Sequence, residues 1–288
     1  MSESNSPRMI NLGCGSRFHP AWVNVDIVPS DPLVTACDLS KTFPFPDGFF
    51  DVVYHSNVLE HIRREDAPAF MRACCRILRP RGILRVAVPD MEQICRLYLE
   101  NLQRACDNDP AAPARYDWMM LEMLDQTVRE QSGGGMLDYL RQNPLPGEDF
   151  ILERIGNEGR GLLRAIRAQS VAAPVAPVAP IEKKPRKLWQ QLKEILCPPH
   201  KEQLEQLDAG TASELAIGRF RLGGEVHQWM YDRFSLARLM VASGFVSPQL
   251  MTPKISQIPG WPEYHLEIGP DGAVHKPDSF IMECLKAD

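Results

Sequence analysis

The sequence predicts an α/β protein: a doubly wound, mainly parallel sheet with shortened early crossovers and a large helical insertion after the fifth strand. Three observations predict it. The first ninety residues are short β-rich runs separated by turns, the stretch from 91 to about 225 has helical spacing, and β-rich runs return after 245. The 288 residues suit one large or two small domains.

The first strand is the apolar run Met9 to Leu12, which ends in glycine. Trp22 to Ile27 and Leu33 to Cys37 each lead to an aspartate, and Phe50 to Tyr54 and Ile83 to Val88 are β-rich runs of strand length. Between the last two, Asp66 can cap a helix whose first turn holds Pro68. Phe70, Met71, Cys74, Ile77 and Leu78 form its apolar stripe until Pro80 and Gly82 end it. After Asp90, which with Gln93 makes a cap pair, Ile94, Leu97 and Tyr98 mark a second helix. A third carries the stripe Tyr116, Met119, Met120, Met123, Leu124, Thr127 and Val128, read as core rather than pocket wall. The repeat VAAPVAPVAP, Val171 to Pro180, favours an extended tether, and the Lys183 to Lys187 cluster beside it reads as a solvated linker. A polar helix near Leu188 to Leu196, a helix from Ser235 to Ser243, a strand from Phe245, a long loop from Pro253 to Asp278 and a strand from Ser279 to Leu285 complete the chain. The expected division is a core at 8–90, an insertion at 91–225 with its Ala/Pro-rich linker near 170–187, and a segment at 226–288 that completes the core.

Only Ser16 to Ala21 separate the first two strands, and the next connection is as short. Six extended residues reach about 20 Å, one strand length, so a helix-free crossover is sterically feasible. It leaves part of one sheet face bare, and an exposed apolar face must be covered. The expectation is that helices from 91–225, or a second subunit in a homodimer, cover it.

Composition narrows the function. Hydrophobic residues at 44% and charged residues at 24% exclude global disorder, and a net charge of -5 argues against nucleic-acid binding through overall charge. No apolar run reaches the roughly 18 to 20 residues that span a bilayer, and MSESNSPR lacks the apolar core of a signal peptide, so a cytoplasmic location is expected. The eight cysteines form no CxxC pair, which argues against a zinc site or a disulfide framework.

The run INLGCGSRFHPAWVNVDIV, residues 10 to 28, places Gly13 and Gly15 after a strand and Asp26 at the tip of the next. Glycines let backbone approach a ligand, and a carboxylate at the neighbouring strand tip can accept from both ribose hydroxyls. A dinucleotide site would have a third glycine where Phe18 stands and an acid about 20 residues on, so the NAD reading loses ground. With DLSKTFPFPDGFFDVVYHSNVLEHI (38 to 62), LRPRGILRVAVPD (78 to 90) and HQWMYDRFSLARLMVASGF (227 to 245), the chain resembles the class I S-adenosylmethionine-dependent methyltransferases. Within them it is similar to the type 11-like, N-terminally truncated branch linked to glycan biosynthesis clusters.

The resemblance implies a Rossmann-like core that binds S-adenosyl-L-methionine. Gly13, Cys14 and Gly15 would pass beneath the methionine part, Asp26 would hold the ribose, Asp38 and Leu39 would flank the adenine, and Tyr54 to Asn57 would line the methyl-transfer centre. It also implies a polysaccharide-biosynthesis role, O-methylation of a sugar or glycan-linked acceptor. Another small molecule, an RNA, or a non-catalytic cofactor-binding scaffold stay open as alternatives. For the base, His61, His227, His265, Glu60 and Asp90 are candidates; His227 is favoured, with His61 orienting the acceptor or cofactor. Some resembling methyltransferases hold a divalent metal through an ExxEH set. Here Asn57 stands in place of its first acid, so no metal is expected. Trp229, Tyr231, Trp261 and Tyr264 could stack on a sugar or pin their loops to the body.

Overall fold

The computed structural model describes residues 7–41, 43–171 and 209–288. Most of the Ala/Pro-rich linker, the Lys183 to Lys187 cluster and the helix expected near 188–196 lie outside the described residues. Alternating apolar residues build one sheet. Strands β1 (Met9–Leu12), β2 (Val23–Asp26), β3 (Val34–Ala36), β4 (Phe50–Ser56) and β5 (Leu78–Pro89) are parallel neighbours, and β7 (Ser279–Lys286) runs antiparallel between β5 and the edge strand β6 (Phe245–Met251). The order β3-β2-β1-β4-β5-β7-β6 reverses direction between β1 and β4, which makes that pair the topological switch point of a Rossmann-like doubly wound sheet.

Side-chain alternation along the strands assigns the two faces. Ile10, Leu12, Val53, Leu84 and Val86 pack on α1 (Ala67–Ile77) and on Leu236 and Met240 of a late helix, Arg233–Ala242. The Asp232 side chain accepts from Phe234 N and Ser235 N to start that late helix, two residues before the expected onset. On the opposite face, Met9, Trp22, Val52 and Tyr54 meet Ile258, Trp261 and Leu266 from the β6–β7 connection.

That second contact corrects the expected cover. The β1–β2 and β2–β3 connections carry no helix, as their lengths predict, yet among the described residues the bare face is met by residues 258–266 and not by the insertion helices. Polar ties fix this segment. Arg85, fully buried on β5, pairs with Glu283 at 2.6 Å and with Glu267, donates to the carbonyls of Thr252 at 2.8 Å and Ile255 at 3.1 Å, and lies 4.3 Å from the Trp261 ring centroid. Trp261 therefore serves as an anchor on this face, and Tyr231 is buried in the core cluster of the other face.

The insertion has a core of its own. Helices α2 (Met91–Cys106), α3 (Ala112–Val128), α4 (Gly134–Leu140) and α5 (Glu148–Val171) enclose Ile94, Trp118, Met119, Leu140, Leu145, Ile151 and Leu163, and α6 (Ala209–Arg221) follows, so the late helix becomes α7. Asp90 caps α2 as predicted, its Oδ1 accepting from Gln93 N at 3.0 Å. The expected stripe on α3 is rotated: Ala112, Trp118, Met119 and Glu122 are buried while Leu124 and Val128 are exposed. The reason is polar. Glu122 pairs with Arg154 of α5 at 2.6 Å and accepts from Trp118 Nε1 at 2.6 Å, so a carboxylate sits where hydrophobicity alone would place a methionine.

Helix α5 breaks at Gly156, at φ 56° and ψ -145°. A Cβ there would fall 2.4 Å from Pro277 Cδ, so glycine alone permits the approach. Beyond the break, Asn157 N and Glu158 N donate to the carbonyls of Val274 and His275, and Arg17 reaches Glu158 at 2.9 Å. The insertion is thereby stitched over the carboxyl edge of the sheet. No helix among the described residues is long and apolar enough to cross a membrane.

Candidate active site

The site is built where β1, β2 and β4 end, because parallel strands deliver their carboxyl ends to one edge. After β1 the chain turns at Gly13 and Gly15, both left-handed at φ 64° and 56°. Gly13 N and Cys14 N donate to the Val25 carbonyl, Gly15 N donates to Asp26 Oδ2 at 2.8 Å, and Ser30 Oγ donates to the Gly15 carbonyl at 2.8 Å. The Asp26 Oδ1 also accepts from Val28 N at 3.0 Å. The two glycines differ in surroundings. A Cβ on Gly13 would meet Val58 Cγ2 at 2.5 Å, whereas one on Gly15 would meet nothing within 4 Å. The first glycine lets the chain pack tightly, and the second faces open space.

Cys37 N donates to the Asp26 carbonyl at 2.8 Å, which sets Asp38 and Leu39 on the same edge. Ser40 and Lys41 bind the Asp38 carboxylate and hold it below the usual range, the Ser40 hydroxyl first, while Leu39 packs on the core. Gly13, Cys14, Gly15, Asp26, Asp38 and Leu39 are thus brought together. Tyr54 points elsewhere, its ring packed against Trp22 and Trp261 with centroids 6.2 and 5.1 Å away. The strand tip itself reaches the turn. Asn57 takes φ 54°, donates through its backbone to the Ala87 carbonyl and through Nδ2 to Ser279 Oγ at 3.5 Å, and Val58 beside it seats on Gly13.

One turn further, Glu60 and His61 lie in a 3-10 helix, Leu59–His61. His227, more than 160 residues away in sequence, is delivered beside them by backbone bonds: His227 N to the Gln126 carbonyl, and Gln228 N and Trp229 N to the Glu60 carbonyl. The His61 and His227 ring centroids stand 4.8 Å apart at 84°. Burial pushes His61 down to about 4, against a smaller upward pull from the Val226 backbone, and His227 down to about 2, with His61 adding to the depression. Both rings are neutral at pH 7 and accept protons weakly. Glu60 is wholly buried, and its carboxyl is raised to about 7 chiefly by that burial. Glu60, His61 and His227 are each candidate bases in the sequence, and the structure brings the three together, which their spacing along the chain could not show. Of the other candidates, Asp90 is engaged as the α2 cap and His265 is exposed in the β6–β7 connection.

Trp229 is partly exposed and carries the Arg64 guanidinium 4.4 Å from its ring centroid, while Tyr264 packs on Trp22 and His19. A cavity of about 700 Å³ lies apart, between α5 and residues 271–277, lined by Gly156, Asn157, Arg160 and Arg164 and by none of the predicted cofactor residues.

No curated protein matches the chain. Among solved structures, it is similar to the [4+2]-cyclase SpnF at 17% identity and TM-score 0.23, over 28% of this chain and 38% of that one. It is similar to the CurJ carbon methyltransferase at 9% identity and TM-score 0.39, over 100% and 50%, and to the trans-methyltransferase CalH in complex with SAH at 22% identity and TM-score 0.23, over 29% and 32%. The match takes in well under half the length of the first of these structures. Residues 11–86, which run from β1 into β5 and include the glycine turn, Asp26 and the Glu60–His61 pair, match the type 11 methyltransferase family, described as a methyltransferase domain.

Proposed function

We propose that the chain is an S-adenosylmethionine-dependent methyltransferase that methylates a hydroxyl of a sugar or glycan-linked acceptor. The observation that carries the reading is the Gly13–Gly15 turn tied to Asp26 at the switch point between β1 and β4. The residues present fit the cofactor. Gly15 has open space where a side chain would stand, and each Asp26 oxygen accepts one backbone N–H, which leaves capacity for the ribose hydroxyls. Bound there, the cofactor supplies a methyl group on a sulfonium.

The chain's own work is alignment. Methyl transfer is an in-line displacement, so most of the barrier reduction comes from holding nucleophile and methyl group in one line. The Asn57 tip and Ser279, joined through Nδ2, form one wall of the approach, and Lys276 brings a positive charge to the same rim. His61 and His227, held neutral, border the acceptor side of the site. The sugar acceptor rests on the resemblance carried by residues 9–90 and 227–245.

Calorimetry with S-adenosylhomocysteine and with NAD, followed by methyl transfer to a panel of sugars, tests the reading. Micromolar binding of the first, none of the second, and label on a sugar oxygen are expected. Absence of S-adenosylhomocysteine binding would overturn it, and label on carbon or nitrogen would overturn the acceptor.

A further inference from the structure

We propose that Glu60, His61 and His227 are the protein ligands of a divalent metal ion of the zinc or ferrous iron type. One donor atom from each lies within 4.8 Å of the others. Glu60 is 0% exposed and His227 6%, and neither carboxylate oxygen of Glu60, nor Nδ1 of His61, nor Nδ1 of His227 has a hydrogen-bond partner. Buried polar atoms in folded proteins are nearly always partnered, so unpartnered atoms on three side chains this close together ask for something that satisfies them jointly. A cation does so: it takes lone pairs from all three side chains and neutralises the buried carboxylate, whose charge is otherwise costly to hold away from water.

The donor types choose the ion. Two imidazoles and one carboxylate suit zinc or ferrous iron, while magnesium and calcium prefer all-oxygen shells. Three protein ligands leave a coordination position open. Donors bound at 2.0–2.2 Å in a tetrahedron stand about 3.4 Å apart, so metal binding draws the widest separation here in by about 1.4 Å. The backbone is already set, because Gln228 N and Trp229 N bind the Glu60 carbonyl and His227 N binds Gln126. The sequence reading expected no metal because Asn57 replaces an acid within one short segment. The third donor comes instead from residue 227, across the insertion.

The inference does not rest on methyl transfer, and its test does not use activity. The full chain, freed of any affinity tag and stripped with chelator, is titrated with Co²⁺ and followed by its visible absorption and by calorimetry, with Zn²⁺ as competitor. One equivalent is expected to bind and to be displaced by zinc. Glu60→Gln and His227→Gln should each weaken Co²⁺ binding by at least about 100-fold, since even outer partners of metal ligands are worth 10- to 100-fold. Glu263→Gln, at an exposed residue outside the cluster, should keep it. X-ray absorption of the Co²⁺-loaded native chain should show imidazole nitrogen in the first shell, a readout that does not depend on a variant's folding. No stoichiometric Co²⁺ binding by the native chain, unchanged binding in folded variants, or an all-oxygen shell would each overturn the site. S-adenosylhomocysteine affinity, measured on the same metal-free samples, keeps a failure here distinct from a failure of the cofactor reading.

Discussion

The Arg85 guanidinium lies 4.3 Å from the centroid of the Trp261 ring, and both residues are buried. Arg85 also holds Glu267 and Glu283, so one cation joins β5, β7 and the segment between β6 and β7. Replacing Trp261 by alanine removes the largest side chain over Trp22 and Tyr54 and uncovers the face that lacks crossover helices. A loss of about 3–5 kcal/mol in denaturant titration is expected, with increased binding of a hydrophobic dye. A loss under 1 kcal/mol would show that the face tolerates water.

The buried ion pair in the insertion supports a test by contrast. Glu122→Leu should cost about 3–5 kcal/mol, because Arg154 would stay buried without a counter-charge. Combining it with Arg154→Leu should recover much of that loss, since a well-packed apolar pair replaces a buried ion pair at little cost. A double variant as unstable as the single one would mean that the bonds to Trp118 and Gln93 matter more than the charges.

Asp26 anchors both the glycine turn and, in the proposed function, the ribose. Asp26→Ala should weaken S-adenosylhomocysteine binding by about 1.5–3 kcal/mol, or about 10- to 150-fold, the value of hydrogen bonds to a charged group. Calorimetry at pH 7 measures it. Unchanged affinity would confine Asp26 to its two observed backbone bonds, to Gly15 N and Val28 N.

Cys14 sits between the glycines, and burial, aided by the Asp26 charge, pushes its thiol up to about 11. At pH 8 only about one molecule in a thousand carries the reactive thiolate there, against about one in ten at the ordinary value of 9.0, so alkylation should run about 100-fold slower. Peptide mapping after iodoacetamide treatment compares it with the exposed Cys106. The rate should climb tenfold per pH unit through pH 10. Equal labelling of the two cysteines at pH 8 would refute the shift.

Local signals were legible in the sequence, and long-range ones were not. The Asp90–Gln93 cap and the short early crossovers follow from neighbouring residues, and the structure has both. The cover of the bare face did not follow, because the pattern shows that Met9 and Val52 need partners and not that residues 258–266 supply them. The stripe on α3 misled for a related reason: Glu122 reads as a surface residue until Arg154 is known to stand opposite. At the candidate site, Gly13 to Gly15 and Asp26 were visible because both follow strands, while the approach of His227 to Glu60 depends on backbone bonds across the whole insertion.

The cover over Trp22 and Tyr54 also sets a schedule for synthesis. Strands β1, β2 and β4 are finished by residue 56, yet Ile258, Trp261 and Leu266 leave the ribosome some two hundred residues later. At about 5–20 residues per second, the nascent sheet carries an unprotected apolar face for roughly 10 to 40 seconds. During that interval the chain is open to aggregation and to chaperones that bind exposed hydrophobic surface. Exposure of that face to chaperones should therefore end once residues 258–266 have been made and docked.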